Sequence, residues 1–186
     1  NGASELFYIG RQRASSSMMM VNFFNAWEGV GVPFSIIVAK QKVERLEKNP
    51  DGVVVGMDTL DDHGLVADGR RIIDCGIAEQ NAVSMASGLA LDGFIPIVVT
   101  YARFLSRATE QVYNQMTEGT QVIYVGSMVG ELPENGPGYS HECLYVEDPL
   151  VQMLPTLEPE SVREVKECLT DALQSGVSYY IRLRAQ

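Results

Sequence analysis

The chain has 186 residues, 46% of them hydrophobic, and its 24 acidic against 14 basic side chains leave a formal net charge of −10 at neutral pH. That length and apolar content suit one domain with a real core and an appended arm. The acidic balance excludes nucleic acid and anionic membrane as expected partners, because both need a basic surface; no apolar run reaches bilayer length and no signal-peptide pattern is visible. The three cysteines, Cys75, Cys143 and Cys168, lack a paired metal spacing and fit reduced thiols in the cytoplasm. The two histidines, His63 and His141, argue against a zinc site.

Residues 1–31 form an arm in which Met20, Phe23, Phe24 and Trp27 share one helical face. That face needs cover, either from its own domain or from a partner subunit. A domain is expected over 32–186. It opens with a helix at 34–48, with Ile36, Ala39, Val43 and Leu46 inward, which stops at Asn49-Pro50-Asp51-Gly52. Strands follow at 53–57, 71–74, 95–100, 121–127 and 179–184, most of them continuous apolar runs of the kind found in parallel sheets covered on both faces. Helices are predicted between them at 81–91 and 103–116. A capping box, Ser161-Val162-Arg163-Glu164, opens another helix with Val165, Leu169, Ala172 and Leu173 inward. This alternation predicts an α/β fold, a doubly wound, mostly parallel sheet flanked by helices.

The most informative stretch is Gly76-Ile77-Ala78-Glu79-Gln80, which sets a carboxylate between the strand at 71–74 and a helix whose inward stripe is Ala82, Met85, Ala86, Leu89 and Ala90. A strand-to-helix junction at the carboxyl edge of an open sheet is where ligands bind. A buried glutamate there resists ionisation and serves as an acid or hydrogen-bond partner. The plain alternative is a solvated first-turn acid favoured by the helix dipole.

The run from Arg71 through Asn81, with Ala86-Ser87-Gly88-Leu89-Ala90-Leu91-Asp92-Gly93 and Ile95-Pro96 after it, resembles the pyrimidine-binding domain of transketolase-like thiamine diphosphate enzymes, the group of transketolase and deoxyxylulose-phosphate synthase. Thr100-Tyr101-Ala102-Arg103-Phe104-Leu105-Ser106-Arg107-Ala108 is similar to that family's aromatic segment, and Tyr180-Ile181-Arg182-Leu183 to its closing strand. The likeness covers roughly residues 34–184 and is densest over 71–111.

The resemblance implies thiamine diphosphate as cofactor, with Glu79 hydrogen-bonded to ring nitrogen N1′, Phe104 and Tyr101 walling the pyrimidine, and Ile77 and Asp58 lining the same site. Plain core aromatics and a plain loop acid are the alternatives for Phe104, Tyr101 and Asp58. Arg107, three residues after Phe104, is a candidate clamp for a substrate phosphate or carboxylate, or else a helix arginine paired with Glu110. Gly138-Tyr139-Ser140-His141 resembles the family's Gly-x-Thr-His segment, which makes His141 a candidate catalytic and substrate-contacting group, with a loop histidine as the alternative. His63 reads as a loop residue. Beyond His141 the chain departs from the family pattern: the acidic pair Glu147-Asp148 comes about two residues late, and the stretch from Leu154 to Pro159 is short.

No Gly-Asp-Gly motif of the kind that holds the diphosphate and its Mg2+ occurs in the sequence, and neither does a P-loop or a Gly-x-Gly-x-x-Gly fingerprint. The resemblance therefore implies a diphosphate-binding subunit or domain on another chain, or else a domain excised from a longer chain. A hetero-oligomer acting on a ketose, aldose or oxo-acid is expected, with ketol or acyl transfer to an aldehyde. The alternatives are a non-catalytic structural or regulatory subunit, a binder of another nucleotide-like ligand, and an oxo-acid dehydrogenase component.

Overall fold

Valine, isoleucine and tyrosine fill the segments that become strands, as β-branched and aromatic side chains pack well on a pleated surface. The computed structural model describes residues 52–57, 72–131 and 138–184. The expected helix at 34–48, the arm with Met20, Phe23, Phe24 and Trp27, and the loop residues Asp58 and His63 lie outside the described residues. Among the described residues the strands are β1 (Gly52–Gly56), β2 (Ile72–Asp74), β3 (Ile95–Tyr101), β4 (Ile123–Val129), β5 (Thr156–Leu157) and β6 (Tyr179–Arg184). They form a sheet of order β2-β1-β3-β4-β6-β5 in which every pairing is parallel. The short edge strand β5 had no signal in the sequence, because two residues carry no periodicity.

The chain runs outward from β1 to β2, returns across β1 to β3, and continues the other way, so the order reverses between β1 and β3. In an open sheet that reversal leaves a crevice at the carboxyl ends of the strands. Both faces of the sheet are buried. On one, Val53, Val55, Val98, Tyr124 and Tyr180 pack with Ala82, Val83, Leu105, Ala108 and Val112 from the helices; on the other, Val54, Ile97, Val99, Ile123, Val125 and Ile181 are equally buried.

The helices are α1 (Glu79–Leu91), α2 (Ala102–Leu105), α3 (Thr109–Thr117) and α4 (Val162–Gln174). The capping box that predicts α4 is present: Ser161 Oγ accepts from Glu164 N at 3.3 Å, while Glu164 Oε2 reaches back to Glu160 N at 2.8 Å. The single helix expected at 103–116 is instead broken by a 3₁₀ turn at Ser106–Ala108. Ser106 Oγ donates to the Arg103 carbonyl at 2.6 Å and Thr109 Oγ1 to the Ser106 carbonyl at 2.5 Å, local bonds that compete with a regular α-helical ladder. The break matters to the site, because residues three apart eclipse one another in 3₁₀ geometry.

Gly126 lies in the middle of β4, and a Cβ there would meet the Tyr180 hydroxyl at 2.6 Å and the Ala102 Cα at 3.0 Å. The missing side chain lets α2 start tight against the sheet, one residue beyond β3.

Candidate active site

Glu79 is the first residue of α1, so the plain first-turn placement is correct as far as it goes. It is not solvated, however. Ala82, Val83 and Ala86 follow it at i+3, i+4 and i+7 and are fully buried, so Glu79 continues their stripe and is itself only 5% exposed. The turn that delivers it is built from the sequence: Gly76 takes φ +63°, its N–H bonds Asp74 Oδ1 at 2.8 Å, and Cys75 N reaches the Gly56 carbonyl at 2.9 Å. Only glycine adopts such a φ without strain.

Arg107 Nη1 lies 3.2 Å from Glu79 Oε1. The arginine thus pairs with Glu79 across the junction rather than with Glu110 on its own helix. Among the described residues this is the one partner of the Glu79 carboxylate, and Oε2 faces no donor there. The same guanidinium sits 4.9 Å from the Phe104 ring centroid, a cation–π contact that the 3₁₀ turn produces by eclipsing residues 104 and 107.

Phe104 belongs to an aromatic group. Its ring centroid is 5.5 Å from that of Tyr101 and 4.9 Å from that of His141, and Tyr101 and His141 are 5.8 Å apart edge-on. These tilted geometries are the favoured ones for aromatic pairs. His141 comes from the loop after β4, and Ser140 Oγ lies 2.9 Å from its Nδ1. The carboxyl ends of β2, β3 and β4 therefore bring together Glu79, Tyr101, Phe104, Arg107 and His141. Ile77 lies in the turn before Glu79 and is 76% exposed.

One cluster beside this group was not foreseen from the sequence. Arg182 in β6 is fully buried, with Nη1 2.6 Å from Asp148 Oδ2 and Nη2 3.0 Å from the Cys143 carbonyl. Its Nε is 2.6 Å from Glu158 Oε1, at an angle that makes an ion contact but not a hydrogen bond. The Tyr180 hydroxyl donates to Asp148 Oδ2 at 2.7 Å, and Leu150 N donates to Oδ1 at 3.1 Å. A signal was available: an arginine inside an otherwise apolar strand has to find a buried counter-charge. Burial first, then the Asp148 charge, pushes the Cys143 thiol up to about 12.

A cleft of about 270 Å3 lined by Met116, Thr120, Leu154 and Val177 sits at the opposite, amino-terminal edge of the sheet and is mostly apolar. It holds none of the groups just described. No helix among the described residues is long and apolar enough to cross a membrane.

Residues 20–184 match the family described as transketolase, pyrimidine binding domain. Among curated relatives, a 1-deoxy-D-xylulose-5-phosphate synthase from Dehalococcoides mccartyi is 26% identical over 163 residues, covering 82% of this chain and 25% of the relative. The synthase of the same name from a Cyanothece species is 33% identical over 125 residues, covering 67% of this chain and 18% of the relative. The chain thus spans about a quarter or less of the curated relatives it matches. A solved structure described as a split gene transketolase, inactive beta4 tetramer, superposes with a TM-score of 0.61 at 22% identity, covering 90% of this chain and 51% of that one, and so shares the fold. The chain belongs to the family of transketolase pyrimidine-binding domains.

Proposed function

We propose that the cluster at the carboxyl edge is the pyrimidine half of a thiamine diphosphate site, and that the chain works with a diphosphate-binding domain or subunit to transfer a ketol or acyl unit from a ketone donor to an aldehyde. The observation that carries this is the buried Glu79 carboxylate beside an aromatic wall. The residues present fit the group: Oε2 of Glu79 faces no donor among the described residues, as an oxygen meant for a ring nitrogen would, and Phe104 and Tyr101 offer apolar surface to a flat ring. When bound, thiamine diphosphate supplies a thiazolium carbon acidic enough to become a nucleophile towards a carbonyl.

The chain's own residues then have distinct tasks. Glu79 holds a proton shared with N1′, worth little in water but large in a dry, preorganised site. Phe104 and Tyr101 fix the ring's orientation without competing for its nitrogens. Arg107 orients Glu79 through Oε1, and its half-exposed guanidinium also points to a role with an anionic substrate group. His141 faces the aromatic wall, where its imidazole can contact the substrate and give or take a proton. Ile77 and Asp58 belong to the proposed lining. Magnesium is assigned to the partner domain, since no Gly-Asp-Gly motif occurs in the sequence. A cytoplasmic hetero-oligomer is the proposed setting, with a ketose, aldose or oxo-acid as the substrate class.

Calorimetric titration of thiamine diphosphate with Mg2+ into the chain alone and into the complex co-purified from its host tests the proposal. Tight binding in the complex and weak binding to the chain alone is the expected result. No binding in either sinks it and leaves a non-catalytic subunit that retained the fold.

A further inference from the structure

We propose that Arg182 and Asp148 are positioning residues, whose buried pair holds the loop carrying His141 against the aromatic wall. This rests on the site reading above but uses different atoms. His141 is followed two residues later by Cys143, and the Cys143 carbonyl is gripped from two sides: by Gly130 N at 3.0 Å, in an antiparallel bridge beyond the end of β4, and by Arg182 Nη2 at 3.0 Å. Arg182 is itself fixed, being fully buried in β6 and bonded to Asp148 at 2.6 Å. Asp148 in turn ties down the chain beyond the loop, accepting from Leu150 N and the Tyr180 hydroxyl, with the Cys143 thiol 3.4 Å away. Both oxygens of that carboxylate accept hydrogen bonds, Oδ1 from Leu150 N and Oδ2 from Tyr180 and Arg182.

The end of β4 is shaped to match. Met128 takes φ +58°, a left-handed conformation that a side chain rarely adopts, and the β4–β6 register shifts between Ser127 and Val129. Such a bulge re-aims a strand end, and here it carries Gly130 to Cys143. Strain of this kind persists where the surroundings over-determine it, and it gathers beside functional sites. Apolar residues of similar volume would fill the space below the loop at least as stably as a buried ion pair, so stability alone does not account for Arg182 and Asp148. A fork of donors that holds both a carboxylate and a backbone carbonyl does set the loop's position, and lysine does not reproduce it.

The test reads the position of His141 in the full chain without cofactor. The sequence has two histidines, so a His63→Gln variant assigns the His141 ring signals in long-range 1H–15N spectra. With aromatic rings at 4.9 and 5.8 Å, its ring protons carry ring-current shifts. Arg182→Lys and Asp148→Asn are expected to remove most of that displacement at a temperature where circular dichroism shows the chain folded. Unmoved His141 signals in both variants overturn the proposal. Should neither variant fold, amide exchange of the wild-type chain decides: Gly130 N–H is expected to be as protected as the centre of β4, and exchange at the rate of an exposed loop overturns the proposal. Phe104→Leu is the control for the underlying reading. It is expected to remove the larger part of the shift and leave the part due to Tyr101, and a signal that ignores it contradicts the aromatic site itself, an outcome distinct from failure of the Arg182 and Asp148 variants.

Discussion

Gly126→Ala tests how the site is mounted on the sheet. The added Cβ meets the Tyr180 hydroxyl at 2.6 Å, its Cε2 at 2.9 Å and the Ala102 Cα at 3.0 Å. None of these yields cheaply. Ala102 is the first residue of α2, which carries Phe104, and the Tyr180 ring is held by its 2.7 Å bond to the buried Asp148. Overpacking costs about 1–3 kcal/mol, and loosening a hydrogen bond to a charged group adds roughly 1.5–3. Against these stands a gain of about 0.4–1 kcal/mol from the stiffer unfolded chain. The net loss is about 1.5–5.5 kcal/mol, which lowers a urea midpoint by roughly 1–3 M. Gly88→Ala is the matched control: Gly88 is exposed inside α1 with open space at its Cβ, so the same change stabilises by about 0.5–1 kcal/mol. Urea unfolding followed by far-ultraviolet circular dichroism reads both. A Gly126→Ala chain within about 0.5 kcal/mol of wild type, the range of an ordinary surface change, refutes the packing reasoning.

Further outcomes follow from the charged groups. Arg107→Ala leaves the Glu79 carboxylate buried without its partner and lowers stability by about 1–3 kcal/mol, whereas Glu79→Gln removes the buried charge and leaves the denaturation midpoint nearly unchanged; equal losses in both contradict the pairing. The Cys143 thiol is raised to about 12 by burial and the Asp148 charge. Its contribution to stability is therefore complete below the unfolded value of roughly 8.5 and is lost as pH rises towards the folded one, so Cys143→Ala flattens the alkaline limb of a stability–pH curve. Glu164 is shifted the other way, held below its ordinary value by the Glu160 N–H and then by the Ser161 hydroxyl. Its stabilisation is present above the unfolded value and lost as pH falls through the folded one, so Glu164→Gln narrows the acid-side difference between thermal melts at pH 6 and at roughly pH 3.

Much of the fold was legible because its strands are apolar runs and its helices carry stripes and caps. The strands at 53–57, 71–74, 95–100, 121–127 and 179–184 all appear, each within a residue or two of its predicted ends. Strand order was not legible, since nothing local records which strand lies beside which. Glu79 was readable as buried because it lies between an apolar strand and an apolar helix, and the structure adds that it is in phase with the buried Ala82, Val83 and Ala86. Its pairing with Arg107 was not, because it depends on a helix break set by the Ser106 and Thr109 hydroxyls. The departures after His141 pointed away from a working site, yet the loop brings His141 to Phe104 all the same. What made that possible is the buried Asp148–Arg182 pair, whose members lie 34 positions apart and show no shared pattern.

If Glu79 activates a bound thiamine diphosphate as proposed, exchange of the cofactor's C2 proton for deuterium reports it without knowledge of the substrate. The exchange is measured by acid quench and proton NMR on the complex of this chain with the proposed diphosphate-binding partner, in wild type and in Glu79→Gln. The variant is expected still to bind cofactor but to exchange slower by two or more orders of magnitude, the scale of general acid–base catalysis. Exchange at the wild-type rate in a Glu79→Gln complex shown to contain bound cofactor would contradict it.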